Sequence, residues 1–229
     1  MPAVLTTIAD PPFVLRAWGA GFALTVAFVS ISQIVGPGFT WLTAGLAVAV
    51  SLPAVLGSGA WWGRAGVLLL IVGLIWARNR PFAGVLFALG GGLLIVEGAG
   101  LGGVIPTVSA ALALGGVTGE MALGHWYLVD PRLPRWSLRG LAIVAIAGVV
   151  TDSLVLWQGI GFPGGGGQAA FWLLAVTSVV LMAAVIGALR QPAYSGVMAA
   201  TGLSYLAVLT TLGAVFVGRA LAIGLGPFG

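Results

Sequence analysis

Long apolar runs, broken by short polar, glycine or proline segments, follow one another along this chain. A helix that crosses a bilayer needs about 20 mostly apolar residues, each rising 1.5 Å. With turn and charge signals as boundaries, such runs lie near residues 17–35, 38–57, 61–77, 81–99, 105–128, 138–158, 169–189 and 195–219. The breaks carry turn chemistry: Gly36-Pro37, Gly57 to Gly59, Arg78 to Pro81, Gly102 to Pro106, Asp130 to Pro134, Pro163 to Gly167, and Gln191-Pro192. The pattern predicts an all-α polytopic integral membrane bundle of about eight transmembrane helices, forming one domain over residues 1–229. The third run carries the weakest signal.

Composition fixes the class. Hydrophobic residues make up 60% of the chain and charged residues 6%, where soluble domains carry about 25% charged residues. The spans leave only short loops and tails, so chemistry or transport is expected within the bundle, at an interfacial loop, or through a partner chain. Asp10 is the only charge ahead of Arg16, unlike the basic start of a secretory signal peptide, so the first helix is expected to remain in the mature protein.

All nine basic residues are arginine, which excludes a retinal Schiff base, pyridoxal chemistry and any other lysine amine mechanism. The absence of cysteine excludes disulfides, Cys-ligated zinc, iron–sulfur clusters and thiolate nucleophiles. A calculated pI near 10.7 rests on arginines scattered between apolar runs. It reports topology rather than nucleic-acid binding. With eight helices, one side holds Arg78, Arg80, Arg132, Arg135, Arg139 and Arg190, and the other holds Arg16, Arg64 and Arg219. Positive charge collects on the cytoplasmic side, so both termini are expected outside, in a prokaryotic inner membrane.

The nine tryptophans fall at or near predicted helix ends, as an interfacial belt requires. Small-xxx-small pairs, Gly59 with Gly63, Gly98 with Gly102 and Gly115 with Gly119, predict close helix packing. No internal repeat is evident. Gly164 to Gly167 reads as a flexible outer loop and lacks the strand and lysine of a phosphate cradle.

Candidate chemistry centres on GEMALGHWYLVDP, residues 119–131, which places Glu120 and the only histidine, His125, near the end of the fifth run. A carboxylate in the bilayer costs at least about 2.5 kcal/mol on insertion scales, so it marks a functional candidate. Gly116, Glu120 and Gly124 share one helical face, on which a neighbouring helix can bring a hydroxyl, a carbonyl or an arginine to the carboxylate. The plain alternative is a protonated Glu120 that holds two helices together.

Glu97 and Asp152 also lie within spans. Counted from the cytoplasmic helix ends, Glu120, Asp152 and Glu97 lie about 15, 20 and 25 Å deep, a ladder suited to a proton relay if the three helices face one another. His125, the only histidine, would stand at the entrance. Met121 with His125 is a thin basis for copper or haem, because no second histidine exists, so no metal and no cofactor is expected.

The segment VDPRLPRWSLR explains itself as a solvated cytoplasmic loop. Its sharper reading is contact with anionic lipid or a partner subunit through Arg132, Arg135, Arg139, Trp126, Tyr127 and Trp136. Three functions follow. First is a non-catalytic subunit of a larger membrane complex, respiratory or otherwise energy-transducing, packed on partner helices and lipids. Second is a small proton-coupled transporter or channel using the intramembrane carboxylates. Third, an intramembrane enzyme acting on lipid or quinone would use His125 as base and Glu120 as acid.

Overall fold

The computed structural model describes residues 11–57, 60–160 and 164–222, so Asp10, Gly59 and Pro163 lie outside the described residues. Among the described residues there are eight helices: α1 (Pro11–Ile31), α2 (Pro37–Leu56), α3 (Trp61–Ile75), α4 (Arg80–Gly102), α5 (Val104–Tyr127), α6 (Arg135–Ile160), α7 (Gly166–Ala188) and α8 (Tyr194–Ala222). Seven are long and apolar enough to cross a membrane, against the eight expected. The exception, α3, has 15 residues. At 1.5 Å per residue it rises about 22 Å, short of a hydrocarbon core of about 30 Å.

Packing divides the bundle into two halves. In the first, α1 packs on α2 and α4, while α3 packs on both α2 and α4. In the second, α5 packs on α6 and α8, while α7 packs on both α6 and α8. The two halves repeat one antiparallel four-helix arrangement, although no sequence repeat announced it. They meet mainly along α1 and α5. Here Gly21 and Gly115 oppose each other so closely that a Cβ on Gly115 would fall on the Gly21 backbone. Thr25 secures the crossing by donating to the carbonyls of Gly21 and Gly115, each at 3.2 Å. Gly103 alone joins the halves in sequence, and its φ of 91° is one that only glycine adopts without strain.

Helix ends differ from the sequence reading where a polar residue is paired. The first helix is already formed at Pro11, ahead of the start expected near residue 17, and Arg16 is buried inside it. Gly166 and Gly167, expected in a flexible loop, form the first turn of α7. Gln168 is the cause: its side chain accepts from the Gly164 amide at 2.8 Å and donates to the Ile160 carbonyl at 2.9 Å, tying α6 to α7.

The arginine-rich ends are stitched by guanidinium groups. Helix α1 closes with the hydrogen bonds of a Schellman turn, Gln33 N to Ser30 O and Ile34 N to Val29 O. Gln33 takes the left-handed position, with φ 53°. Arg80 donates to the carbonyls of Gln33 and Val35. Across the bundle, Arg135 donates to Gln191, Pro192 and Ala193, and Arg139 to Leu189 at 2.7 Å, closing the end of α7.

Candidate functional site

The three intramembrane acids occupy three separate settings. Glu97 of α4 is 4% exposed, and its Oε1 lies 3.0 Å from Nε of Arg16, itself 4% exposed. The contact is an ion pair by distance without hydrogen-bond geometry at that atom. Arg16 spends a different nitrogen, Nη2, on the Ala54 carbonyl of α2 at 2.6 Å. Gly63 of α3 lies under the carboxylate, where a Cβ would collide with Oε2. One ion pair therefore joins α1, α2, α3 and α4.

The second pair is better formed. Arg219 of α8 donates to Asp152 of α6 from two nitrogens, Nη1 to Oδ2 and Nη2 to Oδ1, both at 2.8 Å. Ser109 of α5 adds a third bond to Oδ1 at 2.8 Å. Bidentate geometry of this kind is the strongest that an arginine makes. Phe13 of α1 lies against the same guanidinium, 5.9 Å from ring centre to Cζ. Since Phe13 is one turn from Arg16, the two ion pairs are neighbours at one end of the bundle.

Glu120 is elsewhere. It is fully buried in α5, and Ser204 of α8 donates to its Oε2. Its face is the glycine stripe read from the sequence, with Gly116 against Ala145 of α6 and Gly124 against Thr201 of α8. The hydroxyl comes from α8. Among the described residues Oε1 has no hydrogen-bond partner. Ser109, the partner of Asp152, and Glu120 are separated by 11 residues of one helix, about 16 Å. Val117, Ala207 and Val208 are buried in that interval. The depth ladder therefore does not become a chain of facing carboxylates: two acids are held by arginines, and the third stands apart.

His125 is exposed, with Nδ1 at 3.1 Å from the Tyr205 hydroxyl of α8. Neither His125 nor Glu120 lines the cavities described, and their hydrogen-bond partners on α8 are different residues, Tyr205 and Ser204. Among the described residues no cluster of His, Asp and Glu suited to a metal ion occurs.

The lipid or partner candidates separate too. Tyr127 is buried, 3.5 Å from Nε of Arg135, and Trp126 packs edge to face on Phe39. Arg135 and Arg139 are turned onto carbonyls. Arg132 and Trp136 remain exposed, Trp136 meeting Phe28 edge to face.

Sequence reasoning missed Arg16 and Arg219, which it treated as markers of the outer side. Their signal was their depth: each stands inside a helix end on the face towards which Glu97 and Asp152 also lie. A side-opening groove of about 390 Å³ runs along α1, α4, α5 and α6, walled by Leu24, Phe28, Ile95, Leu112 and Val144. It is apolar. No protein-family profile, curated protein or solved structure matches this chain.

Proposed function

We propose that this chain is a non-catalytic integral membrane subunit that contributes a rigid helical body to a larger membrane assembly. One observation carries the reading: the polar groups within the helices are spent on joining helix to helix. Arg16 with Glu97, Asp152 with Arg219 and Ser109, and Glu120 with Ser204 each close a contact inside the bundle. Charges committed in this way hold a shape and leave little to carry a substrate. Cytoplasmic placement of the face bearing Arg78, Arg80, Arg132, Arg135, Arg139 and Arg190 follows from its excess of positive charge. On the opposite face Arg16 and Arg219 are buried in pairs, leaving Arg64 as the exposed arginine there. Both termini then face outward, and α3 crosses with its ends drawn inward. Gentle solubilisation followed by native gel migration and identification of co-purifying chains tests the proposal. Stable partner chains are the expected result, and migration only as a free monomer refutes it.

A second reading rests on a different observation, the buried and unpartnered Oε1 of Glu120. On this reading Glu120 exchanges a proton with the arginine-rich side, where His125 and Tyr205 stand about one turn away. Proton flux in liposomes decides it. Glu120→Gln abolishes flux if this reading holds, and no flux in the parent protein ends it.

A further inference from the structure

At the arginine-rich end, the start of α2 and the end of α3 enclose a recess of about 290 Å³, lined by Pro37, Gly38, Trp41, Leu74, Ala77 and Arg78. We propose that this recess binds the phosphate headgroup of an anionic phospholipid, with Arg78 as the charged contact. Three features converge on that chemistry. First, Arg78 is exposed and makes no hydrogen bond or ion pair with any described residue, whereas Arg80, Arg135 and Arg139 are occupied with carbonyls. The described carboxylates cannot neutralise it either: Glu97 and Asp152 hold arginines, Glu120 holds Ser204, and Asp130 accepts the Arg132 amide at 3.2 Å.

Second, the recess is half polar and half apolar in the order a lipid requires. Trp41 is 61% exposed at its mouth, and an indole there sits at headgroup level. Leu74 and Ile75 continue the wall along α3, giving the first carbons of an acyl chain an apolar surface. A free phosphate would have no use for that wall. Third, the recess is built rather than incidental. Arg80, next but one to Arg78, holds the Gln33 and Val35 carbonyls and so fixes the loop that delivers the first turn of α2. The amides of that turn add partial positive charge on the same side. A guanidinium pairs bidentately with phosphate, so the expected preference is for anionic over zwitterionic headgroups of equal chain length.

Native mass spectrometry of the full chain in detergent micelles, titrated with phosphatidylglycerol or phosphatidylcholine of identical acyl chains, tests the site. The parent protein is expected to retain one phosphatidylglycerol at concentrations where phosphatidylcholine is lost. Loss of one charge-assisted bond in Arg78→Gln is expected to weaken retention about tenfold. Arg78→Lys recovers part of it, while Arg190→Gln, which removes an exposed arginine outside the recess, leaves it unchanged. Equal retention by the parent and Arg78→Gln overturns the proposal. So does equal weakening by Arg78→Gln and Arg190→Gln, which would report general surface charge. Displacement of the lipid by millimolar inorganic phosphate assigns the recess to the free ion and overturns the lipid assignment. Arg78 is exposed, so an unchanged melting temperature in each variant shows that the fold is intact.

Discussion

Cutting the Asp152–Arg219 pair one side at a time, and then both sides together, separates a structural lock from a working charge. In Asp152→Leu, a guanidinium that is 1% exposed loses both of its 2.8 Å bonds and is left inside the helices with only the Val215 carbonyl at 3.4 Å. Breaking a buried pair from one side costs about 3 to 5 kcal/mol, because the remaining charge is uncompensated. Ser109 loses its 2.8 Å acceptor at the same time and is left with the Pro106 carbonyl at 3.2 Å. For a chain of this size each kcal/mol moves the melting temperature by about 2 to 4 °C, so a fall of roughly 6 to 20 °C is expected. Arg219→Met should fall comparably, since it strands the carboxylate. The double variant Asp152→Leu with Arg219→Met removes both charges and fills the space with apolar atoms, and such replacements are commonly neutral or stabilising. Thermal unfolding in micelles, followed by loss of monodisperse protein, is sufficient to read these differences. A double variant as unstable as either single one, or a single variant within about 2 °C of the parent, would refute the argument.

Three smaller perturbations probe the remaining contacts. Gly63→Ala drives a Cβ into the Glu97 carboxylate, 2.7 Å from its Cδ, and should destabilise by about 1 to 3 kcal/mol, as overpacking does; an unchanged melting temperature would show that α3 can retreat. Ser204→Ala takes from a fully buried Glu120 the one side-chain hydrogen bond it has among the described residues and should cost about 1 to 3 kcal/mol in the same assay, whereas Glu120→Gln, which still accepts from Ser204, should stay much nearer the parent. Gln33→Gly relieves the left-handed backbone at the end of α1 and should stabilise by about 1 kcal/mol; a loss of stability would mean that the Gln33 side chain contributes more than its backbone strain costs.

Much of the fold was legible because hydropathy and helix length are coupled by the bilayer itself. A run such as residues 105–128 has one low-energy option, and α5 occupies Val104–Tyr127. Boundaries drawn at charges failed where the charge was neutralised: Arg16 and Arg219 read as loop edges but lie inside α1 and α8 because each meets a carboxylate. Pairing between residues 81 and 67 positions apart leaves no periodic trace in one sequence. Glu120 was readable for the opposite reason. Its glycine neighbours are four residues away on the same helix, so spacing alone predicted that another helix would come close. Which helix, and that a serine hydroxyl would be the donor, depended on the packing of α8. The exposure of Arg78 was equally invisible, since six arginines at one face look alike until three of them are seen holding carbonyls.

The order in which the two ion pairs can close bears on how the chain enters the membrane. Asp152 precedes Arg219, and Ser109 already stands beside it, so the last helix arrives at a prepared acceptor. Arg16 has no such welcome, since its carboxylate is 81 residues away and emerges only with α4. Until then α1 carries a guanidinium without a carboxylate, and the Ala54 carbonyl of α2 is the acceptor that reaches it first. The first four helices therefore have reason to leave the insertion machinery together, and a nascent chain stopped after α3 would hold α1 poorly. The charge balance of α1 is completed only when Glu97 arrives with α4.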